Sequence, residues 1–157
     1  NQFPNEPWFM QNLINLYINS GQEDKAIEYL DIAIEREPNV GQYYNSKGSI
    51  LARIGRFDES FAAFAKAIEL EPNNALFLES LGFAYVDLGN KLNEDATYLD
   101  NKAYAKAKVE IDAAYKNALP YFEKAYELEP DNESFKHSLR SLYYRLGMND
   151  KYEALAD

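Results

Sequence analysis

The sequence predicts an all-α fold of repeated helix pairs, and three observations predict it. Prolines fall at Pro4, Pro38, Pro72 and Pro130, the first three spaced 34 residues apart. Glycines fall at Gly21, Gly55, Gly89 and Gly147, again 34 apart for the first three. In both series the last gap is 58, which exceeds the period by 24. Composition is the third observation. Ala, Leu, Glu, Lys and Tyr dominate, while 7 glycines and 6 prolines in 157 residues are few, as packed helices require.

Each periodic mark has a physical task. The prolines follow Glu-rich helix ends and cannot continue them. Asn39, Asn73, Asn74, Asp131 and Asn132 lie just beyond, where a short polar side chain caps the next helix. The glycines close the first helix of each pair, since a left-handed backbone is cheapest for glycine. Second helices align without adjustment over Ala26–Ile34, Ser60–Ile68 and Ala118–Tyr126. Within them Ala33, Ala67 and Ala125 allow close approach, and Leu30, Phe64 and Phe122 fill the gap. The close-approach column of the first helices reads Ile14, Gly48, Gly82, Arg140. Only its middle pair is small, so the outer pairs are expected to pack more loosely. Lys47, beside Gly48, is expected to lay its stem on apolar surface with the charge outside.

One stretch carries a family resemblance. Leu78, Leu81, Gly82, Tyr85 and Gly89, followed after a detour by Ala118, Phe122, Ala125 and Pro130, resemble the tetratricopeptide repeat, W-x2-L-G-x2-Y…A-x3-F…P. The resemblance covers essentially the whole chain. It implies a right-handed superhelical array of antiparallel helix pairs, an α-solenoid, with repeats over 7–40, 41–74, 75–132 and 133–157. Residues 1–6 then read as the tail of a truncated upstream repeat, and the second helix of the last repeat as incomplete. Neither end carries a polar capping helix, so the chain is expected to be part of a longer array whose end faces self-associate. The third repeat resembles those of bacterial proteins with an extended hairpin inserted in one repeat, often exported. That implies the periplasm or cell envelope if the full-length chain carries a signal peptide, and the cytoplasm otherwise.

The surplus residues lie at about 90–117. Leu81, Tyr85, Leu88, Leu92, Ala96 and Leu99 recur at spacings of three and four, and Tyr104, Ala107, Ile111, Ala114 and Ala118 match them. Two such stripes predict an antiparallel helical hairpin rather than a loop. About 12 residues added to each arm would project the tip by roughly 18 Å. The turn is expected around Tyr98–Lys102, where Asp100 and Asn101 favour it. Gly89 and Pro120 oppose straight helices, so the arm is expected to be kinked.

Charge and motifs exclude several functions. The formal charge of −10 lacks the basic face that nucleic acid needs, and disfavours anionic membranes. No apolar run reaches the roughly 18 residues of a membrane span. With no cysteine there are no disulfides, thiolate zinc sites or cysteine nucleophiles. The single histidine, His137, is flanked by Ser134, Ser138 and Ser141, yet nothing supplies an orienting acid or an oxyanion site. Glu94, Asp95, Asp100, Glu110 and Asp112 lack the spacing of a calcium loop and read as a solvated face. Asn132-Glu133-Ser134 matches a glycosylation sequon, but capping explains Asn132 better. Neither catalysis nor a cofactor or metal is expected.

Binding remains. In the family that the sequence resembles, the first helices line a concave groove that accepts a peptide or partner helix. That face maps here to Trp8, Gln11, Asn12, Asn15 and Asn19, then Gln42, Asn45, Ser49 and Arg53. It continues with Glu79, Phe83 and Val86, and ends at His137, Ser141 and Tyr144. Amides and hydroxyls suit an extended backbone because they both donate and accept. The family's carboxylate clamp is not expected: Asn15 matches it, but Gln11, Ser46, Leu76 and Ser80 replace its other members. The sequence therefore reads as a protein–protein interaction scaffold, acting by groove or arm. A glycan- or surface-binding accessory module of the bacterial envelope and a self-assembly module are the alternatives. The first of these rests on 13 tyrosines, most of which fall on packing columns.

Overall fold

The computed structural model describes residues 7–155, with side chains described from Asn12 onward except at 15. The expected upstream tail, 1–6, lies outside these residues. Within them the chain forms α1 (Pro7–Asn19), α2 (Glu23–Arg36), α3 (Gly41–Arg53), α4 (Phe57–Leu70), α5 (Ala75–Asp95), α6 (Asn101–Leu128), α7 (Glu133–Arg145) and α8 (Asn149–Ala154). No strand occurs among the described residues. The fold is all-α, and it divides into two compact units after Pro72.

The periodic residues set the helix ends. Glu37, Glu71 and Glu129 each precede a proline and leave the helix at φ −132°, −136° and −135°. The proline ring disfavours the helical conformation at the residue before it. Gly21, Gly55 and Gly147 have φ of +67°, +80° and +68°. Behind each glycine the next amide reaches back five residues, as in Gln22 N–H to Tyr17 O at 2.9 Å and Arg56 N–H to Leu51 O at 2.8 Å. This pairing satisfies carbonyls that the helix end leaves open. The N-cap of the next helix is the second residue after the proline. Asn74 accepts from the Phe77 amide and Asn132 from the Ser134 amide. That place in the second pair belongs to Val40, so Asn39 falls one residue early and caps nothing.

In the first unit the seam between α3 and α4 is built on Gly48. A Cβ there would stand 2.9 Å from the Phe64 ring, and the buried Ser60 hydroxyl donates to the Gly48 carbonyl at 2.8 Å. Ile14, in the same column of α1, is buried with Ala26, Ile27, Leu30, Ile50 and Leu51. Lys47 pairs its charge across the helices while both partners stay partly exposed. Its ammonium reaches Asp31 of α2 at 2.5 Å, joining α3 to the preceding pair.

The second unit is larger because α5 and α6 run for 21 and 28 residues, against 13 and 14 for α3 and α4. They pack antiparallel and turn at 96–100, where Asp100 accepts from the amides of Lys102 and Ala103, both at 2.9 Å. Gly82 meets Phe122, with 2.8 Å between a built Cβ and the ring. Seven residues on, Gly89 meets Tyr115 at 2.6 Å. Gly89 is therefore helical and does not close a helix as its column predicts. Its role is to admit a ring. Leu81, Ala96, Ile111, Ala114 and Ala118 are buried, whereas Leu99 and Tyr104, expected on the inner stripe, are exposed. They lie beyond Ala96, the buried residue that caps the C-terminus of α5. Pro120 sits inside α6, which continues through it.

One apolar cluster runs from Ala96 and Ile111 through Tyr115 and Phe122 to Leu139, Leu142 and Tyr143, with Tyr152 and Leu155 against it. In α7 the close-approach column holds Arg140, whose guanidinium stacks 4.4 Å from the Tyr152 ring of α8. Tyr152 occupies the column of Ala26, Ser60 and Ala118. A small–small contact has thus become a cation over an aromatic face. The Glu123 carboxylate accepts from Tyr143 and from Lys151, each at 2.8 Å, tying α8 back to α6. Burial alone would raise its pKa, but these two hydrogen bonds outweigh it and hold the carboxyl below its ordinary value.

Candidate functional site

The residues mapped to a binding face are distributed unevenly. The side chains of Trp8, Gln11 and Asn15 lie outside the described residues. Asn12 and Asn19 are exposed on α1, and Gln42, Ser49 and Arg53 on α3. These polar groups are partly engaged. Gln42 donates to Ser46 at 3.3 Å, Ser49 to the Asn45 carbonyl at 3.0 Å, and Arg53 to Glu23 at 3.1 Å.

Two of the mapped residues are not on an open face. Asn45 and Glu79 are only 6% and 7% exposed. They stand 34 residues apart, each three before a close-approach glycine, so they share the buried stripe of Gly48 and Gly82. Asn45 Oδ1 meets no donor among the described residues. The Glu79 carboxylate accepts from the Ser138 hydroxyl of α7 at 2.8 Å. Burial raises its pKa above the ordinary carboxylate value, and the Ser138 hydrogen bond opposes this only in part.

The second unit brings the remaining residues together. Phe83, Val86, His137 and Ser141 line a cleft of about 200 Å³ between α5 and α7, with Phe122 as part of its wall. Phe83 stands edge-on to Phe122, at 5.1 Å between centroids and 77° between planes. His137 and Ser141 also border a second cleft of about 240 Å³, which adds Arg140, Tyr144 and Tyr152. Tyr144 is 71% exposed and packs on Tyr152 at 5.6 Å. The pair of clefts is thus an aromatic floor with imidazole, hydroxyl and guanidinium groups on its rim. Arg140 and Tyr152 escaped the sequence mapping, since α8 is too short to reveal which of its faces turns inward. The misfit of an arginine in a glycine column was the available signal.

Among the described residues no three acidic or histidine side chains gather to hold a metal ion. No described helix is long and apolar enough to cross a membrane.

A family model for the tetratricopeptide repeat matches residues 12–90, and a second one matches residues 112–132. The chain belongs to the tetratricopeptide repeat family. Among curated tetratricopeptide proteins it is similar to small glutamine-rich tetratricopeptide repeat-containing protein 2 of Mycosarcoma maydis. They are 28% identical over 93 residues, covering 59% of this chain and 26% of that protein. It is 48% identical over 61 residues to the Dictyostelium discoideum small glutamine-rich tetratricopeptide repeat-containing protein, covering 39% of this chain and 18% of the relative. The chain therefore spans about a quarter or less of the length of these two relatives. A Giardia intestinalis glycosyltransferase is also similar, 35% identical over 69 residues that cover 44% of this chain and 4% of the enzyme.

Solved tetratricopeptide structures show the same fold. The first such domain of Spaghetti, bound to an HSP90 peptide, superposes with a TM-score of 0.63 at 21% identity, covering 88% of this chain and 93% of that one. The MamA protein gives 0.68 at 20% identity, covering 97% and 70%. Human IFIT1 with a capped RNA gives 0.77 at 20% identity, covering 97% and 32%.

Proposed function

We propose that this chain is a non-catalytic interaction module that takes an extended segment of a partner protein along the α5–α7 face. One observation carries the reading. The Phe83–Val86–His137–Ser141 cleft combines an apolar floor with polar groups at its edge, the composition of a site that seats one side chain and steadies the backbone beside it. The exposed amides Asn12, Asn19 and Gln42 offer the same kind of backbone contact on the first unit. Support also comes from the family, in which the Spaghetti domain is a peptide-bound example. We read residues 90–117 as a helical arm added to an otherwise ordinary third repeat, because the surplus of 24 falls between its two recognisable halves.

The test is peptide selection. A random-peptide display library is panned on the immobilised chain, and a selected peptide is titrated by fluorescence anisotropy against the chain and its Phe83→Ala and Ser141→Ala variants. Phe83→Ala is expected to weaken binding at least tenfold, about 1.4 kcal/mol. Ser141→Ala, which removes one rim hydroxyl, is expected to weaken it a few-fold. Selected peptides indifferent to both substitutions would overturn the reading.

A further inference from the structure

A cleft larger than the two beside His137 lies elsewhere in the second unit, at the base of the arm. It measures about 340 Å³ and is lined by Asn93, Tyr104, Lys108, Ile111, Tyr115, Lys116, Arg145 and their neighbours Asp112 and Leu146. Its volume falls in the range that bound side chains and small ligands occupy. In a chain of net charge −10, this cleft carries three cations and one carboxylate. Lys108 is neutralised within its own helix by Asp112, at 2.6 Å. Lys116 and Arg145 have no carboxylate partner among the described residues.

Arg145 is also held in place. Its guanidinium lies 4.6 Å from the centroid of the Tyr115 ring and donates to the Tyr115 hydroxyl at 2.9 Å. That hydroxyl donates in turn to Asn90 Oδ1 at 2.9 Å, and the ring is buried against Gly89. The glycine that admits the ring thus also fixes the platform for the cation. Tyr115 occupies one of the five guanidinium donors, which leaves the rest able to donate to an incoming acceptor. A planar fork fixed in this way matches a carboxylate in two-point contact, and Lys116 supplies a second positive charge.

We propose that the arm-base cleft binds a carboxylate-bearing segment of a partner protein, with Arg145 as the fork, Lys116 as the second cation and Tyr104, Ile111 and Leu146 as the apolar wall. Two uncompensated cations fit one or two carboxylates. They do not balance a polyanion, whose affinity grows with the number of phosphates neutralised. The proposal rests on the interaction-module reading in that the partner is a protein; its cleft is a different one, which shares Arg145 with the Phe83 cleft.

The probe is a fluorescein-labelled peptide, Leu-Glu-Glu-Leu, titrated by anisotropy beside its glutamine counterpart and a labelled uridine tetranucleotide. The acidic peptide is expected to bind at least tenfold tighter than the glutamine peptide, and to weaken as salt is raised. Arg145→Gln is expected to lower its affinity at least tenfold and Lys116→Gln a few-fold. Lys66→Gln, the same charge change in the first unit, is expected to leave it unaltered. No saturable binding, equal binding of the glutamine peptide or tetranucleotide, or an equal loss with Lys66→Gln overturns the proposal. Arg145 also borders the Phe83 cleft whereas Lys116 does not, so Lys116→Gln is the variant that separates the two sites. Library-selected peptides that respond to Phe83→Ala while the acidic probe ignores Lys116→Gln and Arg145→Gln would leave the interaction module standing and remove this site.

Discussion

Gly55 and Gly89 occupy the same place in successive repeats and do opposite work. Gly55 ends α3 with φ +80° and has open space where a side chain would stand. Gly89 sits inside α5 with the Tyr115 ring 2.6 Å from the position of a Cβ. The cause lies in the residues that follow. After Gly55 the chain starts α4 at once, with the Arg56 guanidinium gripping Glu59 at 2.7 and 2.6 Å across the first turn. After Gly89 the residues keep helical spacing through Leu92 to the buried Ala96. A column therefore fixes that a residue is small. Its neighbours decide whether the freedom of its backbone or the absence of its side chain is used.

The largest expected effect separates these two uses. Gly89→Ala gains helix propensity of about 1 kcal/mol, yet overpacks a ring already in contact. A net loss of about 2 kcal/mol is expected, read by urea denaturation and confined by hydrogen exchange to α5–α6. Tyr115→Leu in the same chain should recover part of it through the coupling of neighbours. A neutral Gly89→Ala would break the comparison. Gly55→Ala is expected to lose about 1 kcal/mol through backbone strain alone. Gly55→Asn should lose less, and no change to a neighbouring side chain should rescue either one.

Caps provide a smaller effect. Asp100→Ala removes two amide partners from the start of α6 and is expected to reduce stability by about 1 kcal/mol. Asn39→Ala is expected to change it by less than about 0.5 kcal/mol, because Asn39 caps nothing.

The smallest effect concerns Glu79. Its pKa is raised in the fold by burial, so folding favours the protonated acid. That contribution is complete below the ordinary carboxylate pKa and is lost as pH rises through the raised value. Glu79→Gln keeps an acceptor for Ser138 and removes the titration. The variant should be slightly more stable than the parent at pH 7, with a flatter profile from pH 4 upward. A profile as steep as the parent's would assign the pH dependence to other groups.

Most helix ends were legible in the sequence because a periodic proline or glycine constrains the backbone locally, although Gly89 and Pro120 both lie inside helices. The chain leaves α2, α4 and α6 where a proline follows, whatever packs around them. Side-chain exposure was less legible. Asn45 and Glu79 are polar and sit near the edge of the mapped face, but their burial depends on what lies across from them. For Glu79 that is Ser138, 59 residues away in the chain. Asn39 failed as a cap for a local reason, one residue of register, which the Pro-Asn-Asn and Pro-Asp-Asn sequences of the other repeats hide. The two clefts beside His137 were half legible. Phe83 and Val86 follow helical spacing, whereas Arg140 and Tyr152 are joined only by the fold.

The Gly82–Phe122 and Gly89–Tyr115 contacts have a consequence for how such a protein changes length. Successive contacts are seven residues apart on both helices, so they return to nearly the same face, drifting by about 20° per step. Seven residues removed from each helix, or added to each, would restore the pairing while moving the tip by roughly 10 Å. Changes of one or two residues rotate the facing stripes out of contact, by about 100° per residue. The α5–α6 hairpin can thus shorten or lengthen in paired two-turn steps that keep each glycine opposite a ring.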